Sequence, residues 1–126
     1  MKEKPKGEIT IQVAAMPADA NPSGDIFGGW LLSQMDIAGS ILCGKIANGR
    51  VVTVALNSIV FKLPVFVGDV VCCYVQLVKI GKTSITVHVE AWVSRKFEKE
   101  NKIKVTEGNF TYVKVDDERK PIKILS

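Results

Sequence analysis

A chain of 126 residues has the length of one domain, and with 47% apolar and 24% charged residues it can build a core, which excludes wholesale disorder. A net charge of +4 suits an anionic ligand but is too mild to argue for nucleic acid as a partner. No apolar run is long enough to span a membrane, and no apolar segment follows the basic residues of the opening MKEKPKGEIT, so neither a span nor a secretory signal is expected.

In chain order, residues 1–8 are polar and read as a flexible N-terminal tail. Ile9–Met16 reads as a short strand that stops before Pro17. Residues 17–26 (PADANPSGDI) form a loop of turn residues, with Asp25 or Ser23 placed to cap a helix beginning at Phe27. That helix, Phe27–Asn48, is the one long helix of the chain. Apolar residues at 27, 30, 31, 35, 38, 42 and 46 keep three- and four-residue steps, and Asn48-Gly49 is a stop signal. Asp36 and Lys45 are its only charges, so burial nearly all round is expected.

After Arg50 the period changes to two. Val51–Phe61 is apolar on both faces and reads as a central strand. Residues 62–68 turn at Pro64, Asp69–Ile80 is a second long strand, and Gly81-Lys82 makes a tight turn. Thr83–Arg95 alternates, with Ile85, Val87, Val89, Ala91 and Val93 on one face and Ser84, Thr86, His88, Glu90 and Trp92 on the other. Charged residues 95–102 read as a hairpin loop, Ile103–Val115 as the last strand, and 117–126 as a polar tail. The expected architecture is one α+β domain over residues 9–116, a curved antiparallel sheet wrapped around a central helix. Three cysteines is an odd count, and Cys72 and Cys73 point to opposite faces of one strand. Reduced thiols and a cytoplasmic protein are expected.

Asp36 is the first candidate for chemistry. It stands two turns into an apolar helix, with Ser33, Gly39 and Ser40 one turn away. It is either a structural carboxylate on a narrow polar stripe, or a general base or nucleophile whose surroundings stay small to admit a ligand. The second candidate is the helix entry, where Gly28-Gly29 weakens the helix and leaves backbone N–H groups able to meet an anion or a developing oxyanion. A plain capping turn is the alternative. His88, the single histidine, reads as a solvated surface residue, which argues against a Ser-His-Asp or Cys-His enzyme. No spacing suggests a metal site. Gly81-Lys82-Thr83-Ser84 is able to hold phosphate but reads equally as a hairpin turn. Lys96, Lys99, Lys102 and Lys104 alternate with acids as a solvated face.

Together these segments resemble the hotdog-fold acyl-CoA thioesterases, in particular the YciA-like branch related to cytosolic acyl-CoA hydrolases. The resemblance runs over roughly residues 10–115. It is carried by Met16-Pro17, Asp19-Ala20-Asn21, Gly24 to Trp30, Ser33-Gln34-Met35-Asp36, Gly49 to Val54, Phe61, Pro64 and Val67 to Val71. It implies a helix wrapped by a curved sheet, paired into a homodimer with sites at the interface and often assembled further into trimers of dimers. It implies hydrolysis of acyl-CoA to a free acid and CoA, with no metal or organic cofactor and no membrane or nucleic-acid partner. Asp36 and Asn21 match the catalytic pair, drawn from opposite subunits. On that footing the N–H groups of Gly28 and Gly29 are the expected oxyanion donors, and Arg50, Lys82, Thr83 and Ser84 the expected CoA contacts. In a regular helix Asp36 and the glycines would lie roughly 10–12 Å apart. Either the entry unwinds and folds back, or each helix serves a site with its partner's loop. A related dehydratase would need a histidine near the loop and helix, where there is none. A non-catalytic acyl-CoA sensor on the same fold is the remaining alternative.

Overall fold

The computed structural model describes residues 3–95 and 101–124. The elements are β1 (Glu8–Ala14), a 3-10 turn (Pro17–Asp19), α1 (Gly28–Ala47), β2 (Val51–Phe61), β3 (Val70–Ile80), β4 (Ser84–Ser94) and β5 (Ile103–Lys114). The five strands form one antiparallel sheet in the order β1-β3-β4-β5-β2. The helix lies across one face, burying Leu31, Met35, Ala38, Cys43 and Ala47 against Ile85, Val87, Val89, Phe110 and Tyr112. Large side chains buried this completely contribute about 1.5–3 kcal/mol each. This is the helix-and-sheet architecture expected from the two periodicities. None of the described helices is long and apolar enough to cross a membrane.

The helix ends as its sequence requires. Asn48 takes a left-handed conformation (φ 51°), and its N–H reaches Gly44 O and Lys45 O. Its start differs from expectation. Phe27 is the N-cap and carries no side-chain cap, so neither Asp25 nor Ser23 does that work. Their backbone N–H groups instead bond to Asn21 Oδ1, at 3.1 and 2.9 Å, and Asp25 bridges to Phe66. The loop's capping chemistry is used within the loop.

Two further expectations are corrected. β2 is an edge strand, not a central one, with Val54, Leu56, Val60 and Phe61 between 41% and 54% exposed. The helix is not buried all round, because Ile37 (47%) and Ile41 (38%) face out of the chain. Both differences have one cause: apolar sequence points to an interior, and a single chain has too little sheet to enclose all of it. The described residues near both ends contact the rest of the fold. On the N-terminal side Glu3 pairs with Lys104 and the Lys6 N–H donates to Glu90 Oε1. On the other side the chain turns at 116–120, pairs Pro121 with Val115 and buries Ile124, whose N–H donates to Lys82 O. Of the hairpin loop expected over 95–102, residues 96–100 lie outside the described residues.

His88 is a correction of another kind. Its side chain is 22% exposed, not solvated, and its Nε2 lies 3.1 Å from Glu90 Oε2 and 3.3 Å from Glu107 Oε1. Glu90 is buried and also accepts the Trp92 Nε1–H at 2.9 Å. Lys104, expected on a solvated face, is 7% exposed and lies 3.3 Å from Glu107, while Lys62 meets Glu107 at 2.6 Å. Lys62 first, and Lys104 with it, hold the Glu107 carboxyl below its usual range. Lys102 likewise turns inward to the Tyr74 hydroxyl at 2.6 Å, and Lys96 and Lys99 lie outside the described residues. The three donor side chains His88, Glu90 and Glu107 lie close enough to hold a cation, but the two ammonium groups already neutralise the carboxylates. Because Val87 and Val89 pack in the core beneath the helix, His88 and Glu90 lie on the far face of the sheet from Asp36. That separation keeps the histidine away from the helix carboxylate.

Candidate active site

Asp36 projects from the middle of α1 toward the paired strands β2 and β5. Thr53 and Tyr112 are direct cross-strand partners there. The Thr53 hydroxyl donates to Asp36 Oδ1 at 2.7 Å, and the Tyr112 hydroxyl lies 2.9 Å from the same oxygen and 2.7 Å from the Asp36 backbone carbonyl. Among the described residues nothing donates to Oδ2. One carboxylate oxygen is therefore held and the other is open. Burial first, and then the Asp36 charge, push the Tyr112 phenol far above its ordinary value of 10.0, so it keeps its proton and donates a hydrogen bond.

Gly39 explains part of the small surroundings read from the sequence, in a way the sequence does not reveal. A Cβ at Gly39 would clash with the Tyr112 hydroxyl and ring. The glycine makes room for the tyrosine, not for a ligand. Neither Thr53 nor Tyr112 stands out from the sequence alone. Thr53 lies inside the matched Gly49–Val54 string. The only local signal for Tyr112 is a hydroxyl at an inward-facing position of an otherwise apolar strand.

Asn21, Gly28 and Leu31 line a cleft of about 350 Å³ with Phe61, Lys62, Leu63, Pro64 and Val65. Asn21 Oδ1 is occupied by the Ser23 and Asp25 N–H groups, which fixes the amide with Nδ2 outward, a donor with no acceptor among the described residues. The N–H groups of Gly28 and Gly29 open the helix and likewise have no acceptor among the described residues. The glycines differ in what they accommodate. A Cβ on Gly28 would come within 3.2 Å of the Phe61 ring, while one on Gly29 would meet open space.

Asp36 is not part of that cleft. The helix is regular from Gly28 onward, so eight residues separate the two by about 12 Å along the axis. The entry does not unwind and fold back, which removes one of the two ways of bringing Asp36 to the glycines. Within one chain the two halves of the expected site stay apart.

The four residues expected to meet CoA gather at one end of the sheet. Val115 N–H donates to Arg50 O, Lys114 N–H to Thr83 O and Ile124 N–H to Lys82 O, while Ser84 pairs with Val113. Lys114, not foreseen, adds a third cation beside Gly49. Thr53 is three strand residues from Arg50, or about 10 Å, so this basic end adjoins the Asp36 carboxylate.

A single long helix cupped by a five-stranded antiparallel sheet defines a hotdog-fold protein, and its helix presents a half-buried carboxylate to strand hydroxyls. The chain belongs to the Thioesterase superfamily, whose family model matches residues 23–96. It is 52% identical over 123 residues to the acyl-CoA thioester hydrolase YciA of Salmonella typhimurium, spanning 96% of this chain and 92% of that protein. A hexameric thioesterase from Yersinia pestis superposes with a TM-score of 0.91 at 52% identity, covering 98% of this chain and 99% of that one. A hexameric hotdog fold thioesterase of Campylobacter jejuni gives a TM-score of 0.84 at 44% identity, covering 93% and 91%.

Proposed function

We propose that this protein hydrolyses acyl-CoA thioesters to the free acid and CoA, at sites completed between two subunits. The observation that carries the reading is the Asp36 carboxylate, with Oδ1 clamped by two hydroxyls and Oδ2 open. Oδ2 takes a proton from water as the oxygen attacks the thioester carbonyl, or attacks that carbon itself to form an anhydride that water then opens. Both routes use the same oxygen and break the C–S bond, and CoA leaves as a thiolate that takes up the proton given up by the attacking water. Negative charge on the carbonyl oxygen meets the N–H groups of Gly28 and Gly29 at the positive end of the helix dipole. Asn21 adds its Nδ2 as a donor, which favours its orienting the carbonyl over its accepting a proton from water. No metal or organic cofactor has a role in this scheme, since CoA is itself part of the substrate.

Because the Asn21 cleft of one chain lacks Asp36, a second copy supplies it. The half-exposed β2 edge and the outward Ile37 and Ile41 are the surfaces available for that pairing. Light scattering at micromolar concentration should find two or more chains per particle, and a monomer would remove the shared site. The relatives described as hexamers favour further assembly of such dimers.

The direct test is release of free thiol from short- to long-chain acyl-CoAs. The protein's own thiols do not interfere. Cys43, Cys72 and Cys73 are buried, and burial pushes Cys43 up to about 12, as it does Cys73 with help from Cys72. Turnover of at least one chain length is expected. Binding with no turnover on any of them would leave a non-catalytic acyl-CoA sensor.

A further inference from the structure

We infer that Tyr112 is a positioning residue for the reaction, holding the Asp36 carboxylate so that Oδ2 is the oxygen presented to water or thioester. This rests on the reading of Asp36 as the reactive carboxylate and adds a second element to it. A carboxylate with free rotation about its Cβ–Cγ bond presents its two oxygens interchangeably. Here the Tyr112 hydroxyl spans two oxygens of the same residue, the backbone carbonyl at 2.7 Å and Oδ1 at 2.9 Å. That double contact ties the side chain to its own helix turn. Thr53 approaches Oδ1 from the neighbouring strand, so donors from β2 and β5 converge on one oxygen.

The arrangement is built into the core and is not an accident of a mobile side chain. Tyr112 is fully buried, so its ring cannot swing away, and the glycine at position 39 is what admits its hydroxyl to the helix. Deep burial, then the Asp36 carboxylate beside it, keep the phenol protonated, so it acts on Asp36 only as a donor. Small losses of alignment at a reacting group are costly, because the attacking atom must be held within bonding reach of the carbon.

The test is Tyr112→Phe, assayed by acyl-CoA hydrolysis in the wild-type and Asp36→Asn backgrounds, with circular dichroism confirming the fold. In the wild-type background kcat should fall tenfold or more while KM stays within about twofold, because Tyr112 does not touch the substrate. In the Asp36→Asn background the same substitution should cost less than about twofold, since its effect passes through the charge already removed. Gly39→Ala reaches the same bond from the helix side. It should lower kcat in the same way, and combining it with Tyr112→Phe should bring no further loss. Wild-type kcat in Tyr112→Phe would overturn the inference and leave the thioesterase reading intact. Equal losses in both backgrounds would do the same, showing that Tyr112 acts apart from Asp36. An inactive wild-type protein would overturn the reading of the site, and the role of Tyr112 with it.

Discussion

Asp36→Asn should lower acyl-CoA turnover by at least about a hundredfold with the fold intact. The substitution is close to isosteric. Its side-chain oxygen still accepts from Thr53 and Tyr112, so the contacts that seat the helix against β2 and β5 survive. What changes is the other side of the group. The open Oδ2, able to take a proton or attack a carbonyl, becomes an NH₂ that can do neither. The N–H groups of Gly28 and Gly29 and the Asn21 cleft are untouched, so KM should change much less than kcat. Thermal unfolding and light scattering should match the parent protein. Hydrolysis at a near wild-type rate would remove Asp36 from the chemistry.

A second large effect is expected when two inactive chains are combined. Asn21→Ala and Asp36→Asn, unfolded and refolded together, should regain about a quarter of wild-type activity if Asn21 of the partner subunit completes each site. Random pairing makes about half of the dimers mixed. In each of these, one site collects both substitutions and the other collects neither. The same fraction holds if dimers assemble further, because each site still draws on two chains. The geometry behind the expectation is the regular helix from Gly28 to Asp36, which sets the two halves of the site about 12 Å apart in one chain. If both residues served one site from the same chain, every site in the mixture would be damaged. Activity would then stay at the level of the single variants and the shared-site scheme would have to be given up. The measurement needs each single variant to lose tenfold or more, as rough guidance.

Much of the scaffold is legible in the sequence because it is set locally. Three- and four-residue apolar steps mark α1, and Asn48 ends it for a reason internal to its own backbone, tolerance of the left-handed conformation. Strict alternation from Ile85 to Val93 locates β4 and correctly separates its core face from its other face. Asp36 and the paired glycines stand out because each is costly where it sits, unless a site or a turn gives it a purpose, while Asn21 enters through the resemblance. Their proposed roles come from the resemblance, and the structure adds where each residue sits and what it touches.

Inferences about surroundings are the ones that fail. His88 reads as solvated because its strand neighbours are polar, yet Glu90 and Trp92 beside it are buried and Glu107 arrives from β5. Phe27–Asn48 and Val51–Phe61 read as enclosed because they are apolar, yet composition does not say which chain does the enclosing.

By itself, then, the sequence determined the helix, the strands and the turns between them, since periodicity and backbone preference act over a few neighbours, and it marked Asp36 and Gly28-Gly29 as candidates for chemistry. Only the tertiary structure decided that β2 lies at the edge, that the Asn21 cleft and Asp36 stay apart within one chain, and that Thr53 and Tyr112 converge on Asp36 from 17 and 76 residues away. The physical reason is that strand order and register are settled by packing the whole sheet against the helix at once, and no short stretch of chain records which distant hydroxyl will face a given carboxylate.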